Sequence, residues 1–127
     1  MPYEHKRQYE RAPLRRRVWC ESGSITIYAQ IGNVSEGGLF VKTFAPLSEG
    51  AHARVRWDLD EQAPEIEAEA IVVWRRQGDP DAPLAPGMGL KFEHIEPADV
   101  ERIRKFVATS LAETPPAAGD GPGVGRA

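Results

Sequence analysis

Two stretches decide how this chain folds: Ala51-His52-Ala53-Arg54-Val55-Arg56-Trp57-Asp58, and Ile66-Glu67-Ala68-Glu69-Ala70-Ile71-Val72-Val73-Trp74. In the first, Ala51, Ala53, Val55 and Trp57 share one side, with His52, Arg54, Arg56 and Asp58 on the other. In the second, Ile66, Ala68, Ala70, Val72 and Trp74 stand opposite Glu67 and Glu69. A period of two marks strands with one buried and one wet face, the pattern of antiparallel sheet. The same period continues in both directions. Residues 24–31 alternate Ile25, Ile27, Ala29 and Ile31 with polar or amphipathic neighbours, and shorter runs at 14–20, 38–43 and 87–93 bring the total to about six strands. Turn residues separate them at Ser22-Gly23, Glu36-Gly37-Gly38, Pro46 to Gly50, Gln62 to Pro64 and Gly78 to Pro86. Short strands punctuated this way predict a mainly β fold, a six-stranded antiparallel barrel, because closure removes the exposed edges of an open sheet.

One helix follows the strands. Residues 97–113 place Pro97 where a first turn tolerates it and Asp99 and Glu101 near the positive end of the helix dipole. Val100, Ile103, Phe106, Val107 and Leu111 then fall on one face, which predicts a C-terminal α-helix that plugs or packs against one end of the barrel. The last 14 residues hold four Gly, three Pro and three Ala. They bury too little apolar surface to offset the entropy of ordering them. The reading is therefore a basic arm at 1–13, barrel and helix at 14–112, and a disordered tail at 113–127.

At 127 residues the chain is one domain, and its formal net charge of −3 does not suit a polymeric nucleic-acid binder. The charge is unevenly placed. Residues 1–17 carry Lys6, Arg7, Arg11, Arg15, Arg16 and Arg17 against Glu4 and Glu10, a balance of +4 that leaves −7 on the remainder. A single cysteine, Cys20, makes neither an internal disulfide nor a thiolate metal cluster. No stretch is long and apolar enough to span a membrane or to form a secretory signal, so a cytoplasmic protein is expected. Catalysis finds little support either. His5, His52 and His94 lack metal-ligand spacing, no Gly-rich phosphate loop leads into a helix, and Glu67 with Glu69 reads as a solvated strand face. The expectation is a protein that is not an enzyme and has no metal and no cofactor.

Two constellations stand out. Arg7-Gln8-Tyr9-Glu10-Arg11 sets two guanidinium groups four positions apart just ahead of the first strand. Arginine offers a planar fork that binds phosphate bidentately and stacks on bases. Asn33-Val34-Ser35-Glu36-Gly37-Gly38 sits at a strand connection, where Asn33 and Ser35 can face the same way and the glycines admit a close approach. In this order and spacing the two motifs resemble those of the PilZ domain, a bacterial receptor module for cyclic di-GMP. Gly37-Gly38-Leu39-Phe40-Val41, Val72-Val73-Trp74 and Gly87-Met88-Gly89-Leu90-Lys91-Phe92 resemble further PilZ segments, and the likeness covers residues 5 to about 108.

The resemblance implies a PilZ-type barrel that takes cyclic di-GMP as ligand. Arg7 and Arg11 would hold its phosphates and guanines, Asn33 and Ser35 would hydrogen-bond base and phosphate or ribose groups, and Gly37 and Gly38 would keep the turn open. It further implies an arm that orders on binding and presents a changed surface to an effector protein, in control of motility, adhesion or polysaccharide output. Lys6 stands where a basic residue goes with binding of a stacked ligand dimer. Asn33 departs from the more usual Asp, with one acceptor oxygen where a carboxylate has two. That departure motivates the alternative of a PilZ-like interaction adaptor with weak or no ligand binding. Trp57 and Trp74 read as inward core residues, Arg15 to Arg17 as charges on the barrel rim, and Trp19, opposite in parity to Val18 and Cys20, as an exposed candidate for partner contact.

Overall fold

The computed structural model describes residues 9–61, 64–79, 81 and 84–113. Its strands are β1 (Ala12–Pro13), β2 (Arg17–Ser22), β3 (Ile25–Ser35), β4 (Gly38–Lys42), β5 (His52–Trp57), β6 (Ile66–Arg76) and β7 (Gly87–Ile95), followed by helix α1 (Pro97–Glu113). All pairings are antiparallel. The order β3-β2-β5-β6-β7-β4 closes on itself through β3–β4 and makes a six-stranded barrel, with β1 as one extra short strand beside β3. Among the described residues no helix is long and apolar enough to cross a membrane, and no group of three or more His, Cys, Asp or Glu is placed to hold a metal ion.

The barrel fills from the alternation that predicted it. Ala53, Val55 and Trp57 of β5 and Ile66, Ala68, Ala70 and Val72 of β6 are all buried, joined by Val18 and Cys20 of β2 and by Ile31 and Val34 of β3. Each large apolar side chain withdrawn from water in this way stabilises the fold by about 1.5–3 kcal/mol. Trp57 lies inside as expected, stacked on Phe92 at 5.6 Å between ring centroids. Ile103 and Val107 bury one stripe of α1, which packs against β1 and β3 and joins the barrel core.

Three details differ from the sequence reading, and each has a local cause. The run at 14–20 becomes a strand only from Arg17, with a separate short strand ahead of it: β1 pairs with Asn33 and Val34, β2 pairs with residues 25–30, and Gly32 forms a bulge between the two ladders. An extra residue on one strand has no partner opposite, so pairing breaks and resumes one register later. A second bulge at Val73 follows Val72, which pairs with Leu90, and precedes Trp74, which pairs with Gly89. This turns Trp74 to the outside of the barrel. Lastly, Ile25 and Leu111 keep the apolar parity but stand exposed at the tip of the β2–β3 hairpin and at the end of α1, where nothing covers them among the described residues.

Candidate functional site

The Gly32 bulge sets the site, because it places Asn33 on the outer surface between Pro13 of β1 and Phe40 of β4. Arg11, one residue before β1, donates from Nη1 to Asn33 Oδ1 at 2.8 Å. The two sequence motifs therefore meet in the fold. This bond takes one lone pair of the only acceptor oxygen on the Asn33 side chain and turns its amide N–H groups away from Arg11.

Ser35 shares the outer parity of β3 with Asn33 but is only 1% exposed, and its Oγ accepts the Gly37 N–H at 3.1 Å. A hydroxyl that accepts in this way keeps its own proton to donate. The two glycines of the turn answer to different neighbours. A Cβ on Gly37 would come 2.6 Å from the Tyr9 ring, so the arm's tyrosine lies directly on the turn. A Cβ on Gly38 would stand 1.9 Å from the Leu90 carbonyl oxygen, so this position is set by the close approach of β7 backbone. The Gly37 carbonyl also accepts the Phe92 N–H at 2.9 Å. Glu36, between these residues, accepts from Arg104 of α1 at 2.8 and 3.4 Å, and Arg104 also bonds Glu101. Tyr9, Glu10, Glu36, Arg104, Val107 and Ala108 line an open cleft of about 280 Å³ where arm, turn and helix converge. Lys6 and Arg7 lie outside the described residues, as does the tail from residue 114.

Beside Asn33 the outer wall continues over four strands as a flat aromatic plate. Phe40 of β4 and Trp74 of β6 stack at 5.4 Å with 15° between planes, and the Arg76 guanidinium stands 5.3 Å from each ring centroid. Arg76 is held there by donating from Nε to the Ala85 carbonyl at 2.7 Å. The rings lie flat because glycines form the floor: Gly32 and Gly87 beneath Phe40, and Gly89 beneath Trp74, where a Cβ would stand 2.1 Å from the indole nitrogen. Period-two reading assigned Trp74 to the core, and the Val73 bulge overturns that assignment. A signal was present in Gly87-Met88-Gly89, whose glycines alternate with buried Met88 and Leu90 and so leave the outer face empty for rings. Phe40, Trp74 and Arg76 thus join Arg11 and Asn33 on one continuous surface of donors, cation and π-faces, suited to a planar, hydrogen-bonding, anionic ligand.

Comparison with known proteins agrees with this geometry. Residues 5–109 match the PilZ domain family. Among solved structures the chain is similar to the Bacillus subtilis inhibitor of motility (MotI/DgrA), with a TM-score of 0.72 and 25% identity, covering 84% of this chain and 51% of that one. It is similar in fold to Escherichia coli YcgR in complex with c-di-GMP, with a TM-score of 0.66, 16% identity and coverage of 85% and 47%. The K. pneumonia MrkH complex with c-di-GMP gives a TM-score of 0.68, 22% identity and coverage of 85% and 53%. The chain therefore spans about half the length of each of these proteins. No curated protein sequence matches it. With the family match running from ahead of β1 into α1, and both of its motifs in contact on the barrel wall, the chain belongs to the PilZ domain family.

Proposed function

We propose that this protein is a cyclic di-GMP receptor that regulates a partner protein by a change of surface on binding, without chemistry of its own. The observation that carries the reading is the contact of Arg11 with Asn33 beside the Phe40–Trp74 plate. Arg11, and Arg7 from the preceding arm, supply charge-assisted hydrogen bonds to phosphates and guanine edges. The plate offers π-faces on which a guanine stacks, a contact worth about 1–3 kcal/mol per base in other nucleotide sites. Asn33 presents amide donors to a base acceptor, and Ser35 holds the turn while keeping a donor of its own. Tyr9 on Gly37 and Glu36 on Arg104 connect the arm and turn to α1, so that reordering the arm alters the surface around the helix. Lys6 sets whether one ligand or a stacked pair binds. The receptor works in the cytoplasm, and its partner belongs to motility, adhesion or polysaccharide output.

One observation favours the adaptor alternative with weak ligand binding: the Asn33 oxygen already accepts from Arg11, which leaves one lone pair for a ligand. Isothermal titration calorimetry of cyclic di-GMP into the wild-type chain and Arg11→Ala separates the two readings. Saturable binding that weakens about tenfold or more in the variant supports the receptor, in line with loss of a charged hydrogen bond. The absence of heat with folded wild-type protein supports the adaptor.

A further inference from the structure

We propose that the outer face of β2, β3 and β4 is a docking surface for an acidic, aromatic-bearing segment of a partner protein. Trp19 and Tyr28 stand directly opposite each other on β2 and β3, 38% and 53% exposed, with their rings stacked at 4.2 Å and 29°. Two guanidinium groups bracket them: Arg17 at 5.4 Å from the Tyr28 centroid and Arg56 at 5.7 Å from that of Trp19. The next row of the sheet runs from Arg17 to Gln30 on β3 and on to Lys42 on β4, each directly opposite the next. The face is therefore a stacked aromatic pair with Arg17 and Lys42, separated by Gln30, along one side, and Glu21, 3.9 Å from Arg56, on the other.

The free cations of this face lie outside the cross-strand charge pairs of β5 and β6. On β5 and β6 the outward cations face carboxylates across the sheet, Arg54 opposite Glu69 and Arg56 opposite Glu67, and Arg56 also lies 3.6 Å from Glu65. Arg17 and Lys42 have no carboxylate partner among the described residues. A chain of net charge −3 thus leaves Arg17 and Lys42, with Gln30 between them, unneutralised on the face that carries its stacked exposed aromatics. The complement to that arrangement is a segment whose carboxylates reach Arg17 and Lys42 while an aromatic side chain lies on Trp19 and Tyr28, the residue types that anchor protein interfaces. A nucleic-acid strand fits less well, since two free cations neutralise too few phosphates to hold a polymer.

Tyr28 lies five residues from Asn33 along β3, roughly 17 Å at the rise of a strand. Ligand and partner would sit side by side and meet at Lys42, whose Cε lies over Gly32 next to the Phe40 ring. The proposal rests on the receptor reading for its purpose, while docking itself needs only the face.

The test is fluorescence anisotropy of a fluorescein-labelled peptide of repeated Glu-Glu-Tyr against the full chain, with and without cyclic di-GMP. The expected result is saturable binding that weakens at least about tenfold in Arg17→Glu and in Trp19→Ser, and stays unchanged in Lys105→Glu, the same charge reversal placed on α1. Cyclic di-GMP affinity, measured by calorimetry on the same variants, is expected to stay at the wild-type value, which separates a lost docking face from a lost receptor site. Equal peptide affinity in Arg17→Glu would overturn the proposal. So would tighter binding of oligothymidylate than of the peptide, or self-association of the wild type that disappears in Trp19→Ser, since the occupant would then be a nucleic acid or a second copy.

Discussion

In the proposed receptor, Asn33 is the residue on which ligand affinity turns. Its one acceptor oxygen receives the Arg11 Nη1–H at 2.8 Å, so a guanine N1–H must share that neutral oxygen with Arg11. A carboxylate ends the sharing, because one oxygen can stay on Arg11 while the other accepts from the base. Asn33→Asp is therefore expected to lower the dissociation constant for cyclic di-GMP by about five- to tenfold, the gain from one additional hydrogen bond to a charged group. Calorimetry reads this directly, and an unchanged or weaker affinity would show that the Asn33 oxygen does not face the base. The residue types at Arg11 and Asn33 were legible in the sequence as donor and acceptor. Their mutual contact was not, because it depends on the Gly32 bulge, which carries Asn33 outward to the level of the arm.

At the scale of elements, two glycines adjacent in sequence serve different joints. Gly38 lies where β4 meets β7, and a methyl there would press on the Leu90 carbonyl at 1.9 Å, with only backbone able to yield. Gly38→Ala is expected to cost about 1–3 kcal/mol, the usual range for overpacking, seen as a lower midpoint in urea unfolding. Gly37→Ala meets the ring of Tyr9 instead, a side chain that can swing aside, so its loss of stability should be the smaller of the two. Equal losses would mean that Tyr9 is as fixed as the barrel backbone. The strands themselves were readable because solvent on one side and core on the other impose period two on β5 and on most of β6. That period fails wherever an extra residue enters a ladder, since nothing in a single strand states what its neighbour pairs with. Val73 is such a residue, and one insertion moved Trp74 from an expected core position to the wall beside Asn33.

Closure of the barrel around its core has a consequence for the whole molecule through Cys20. The thiol is fully buried, and loss of solvent pushes its pKa from 9.0 up to about 12. Below pH 9 the thiol is neutral in both the folded and the unfolded chain, so it adds no pH dependence there. Between pH 9 and 12 the unfolded chain gives up this proton while the folded chain keeps it. The folded state then binds more protons than the unfolded one, and stability falls as pH rises. A three-unit shift corresponds to a loss of up to about 4 kcal/mol, reached only when both limits are crossed. The contribution of the thiol is isolated by the difference between two proteins, one of which lacks it. Cys20→Ala starts from lower stability, having lost a buried side chain, but its urea midpoint should fall less steeply from pH 8 to 11 than that of the wild type. Parallel slopes would mean that water reaches the thiol in the folded state, and a thiol reagent would then label Cys20 without denaturant. If the barrel is as tightly closed as its packing indicates, labelling instead follows the unfolding of the domain, and Cys20 reports the opening of the barrel.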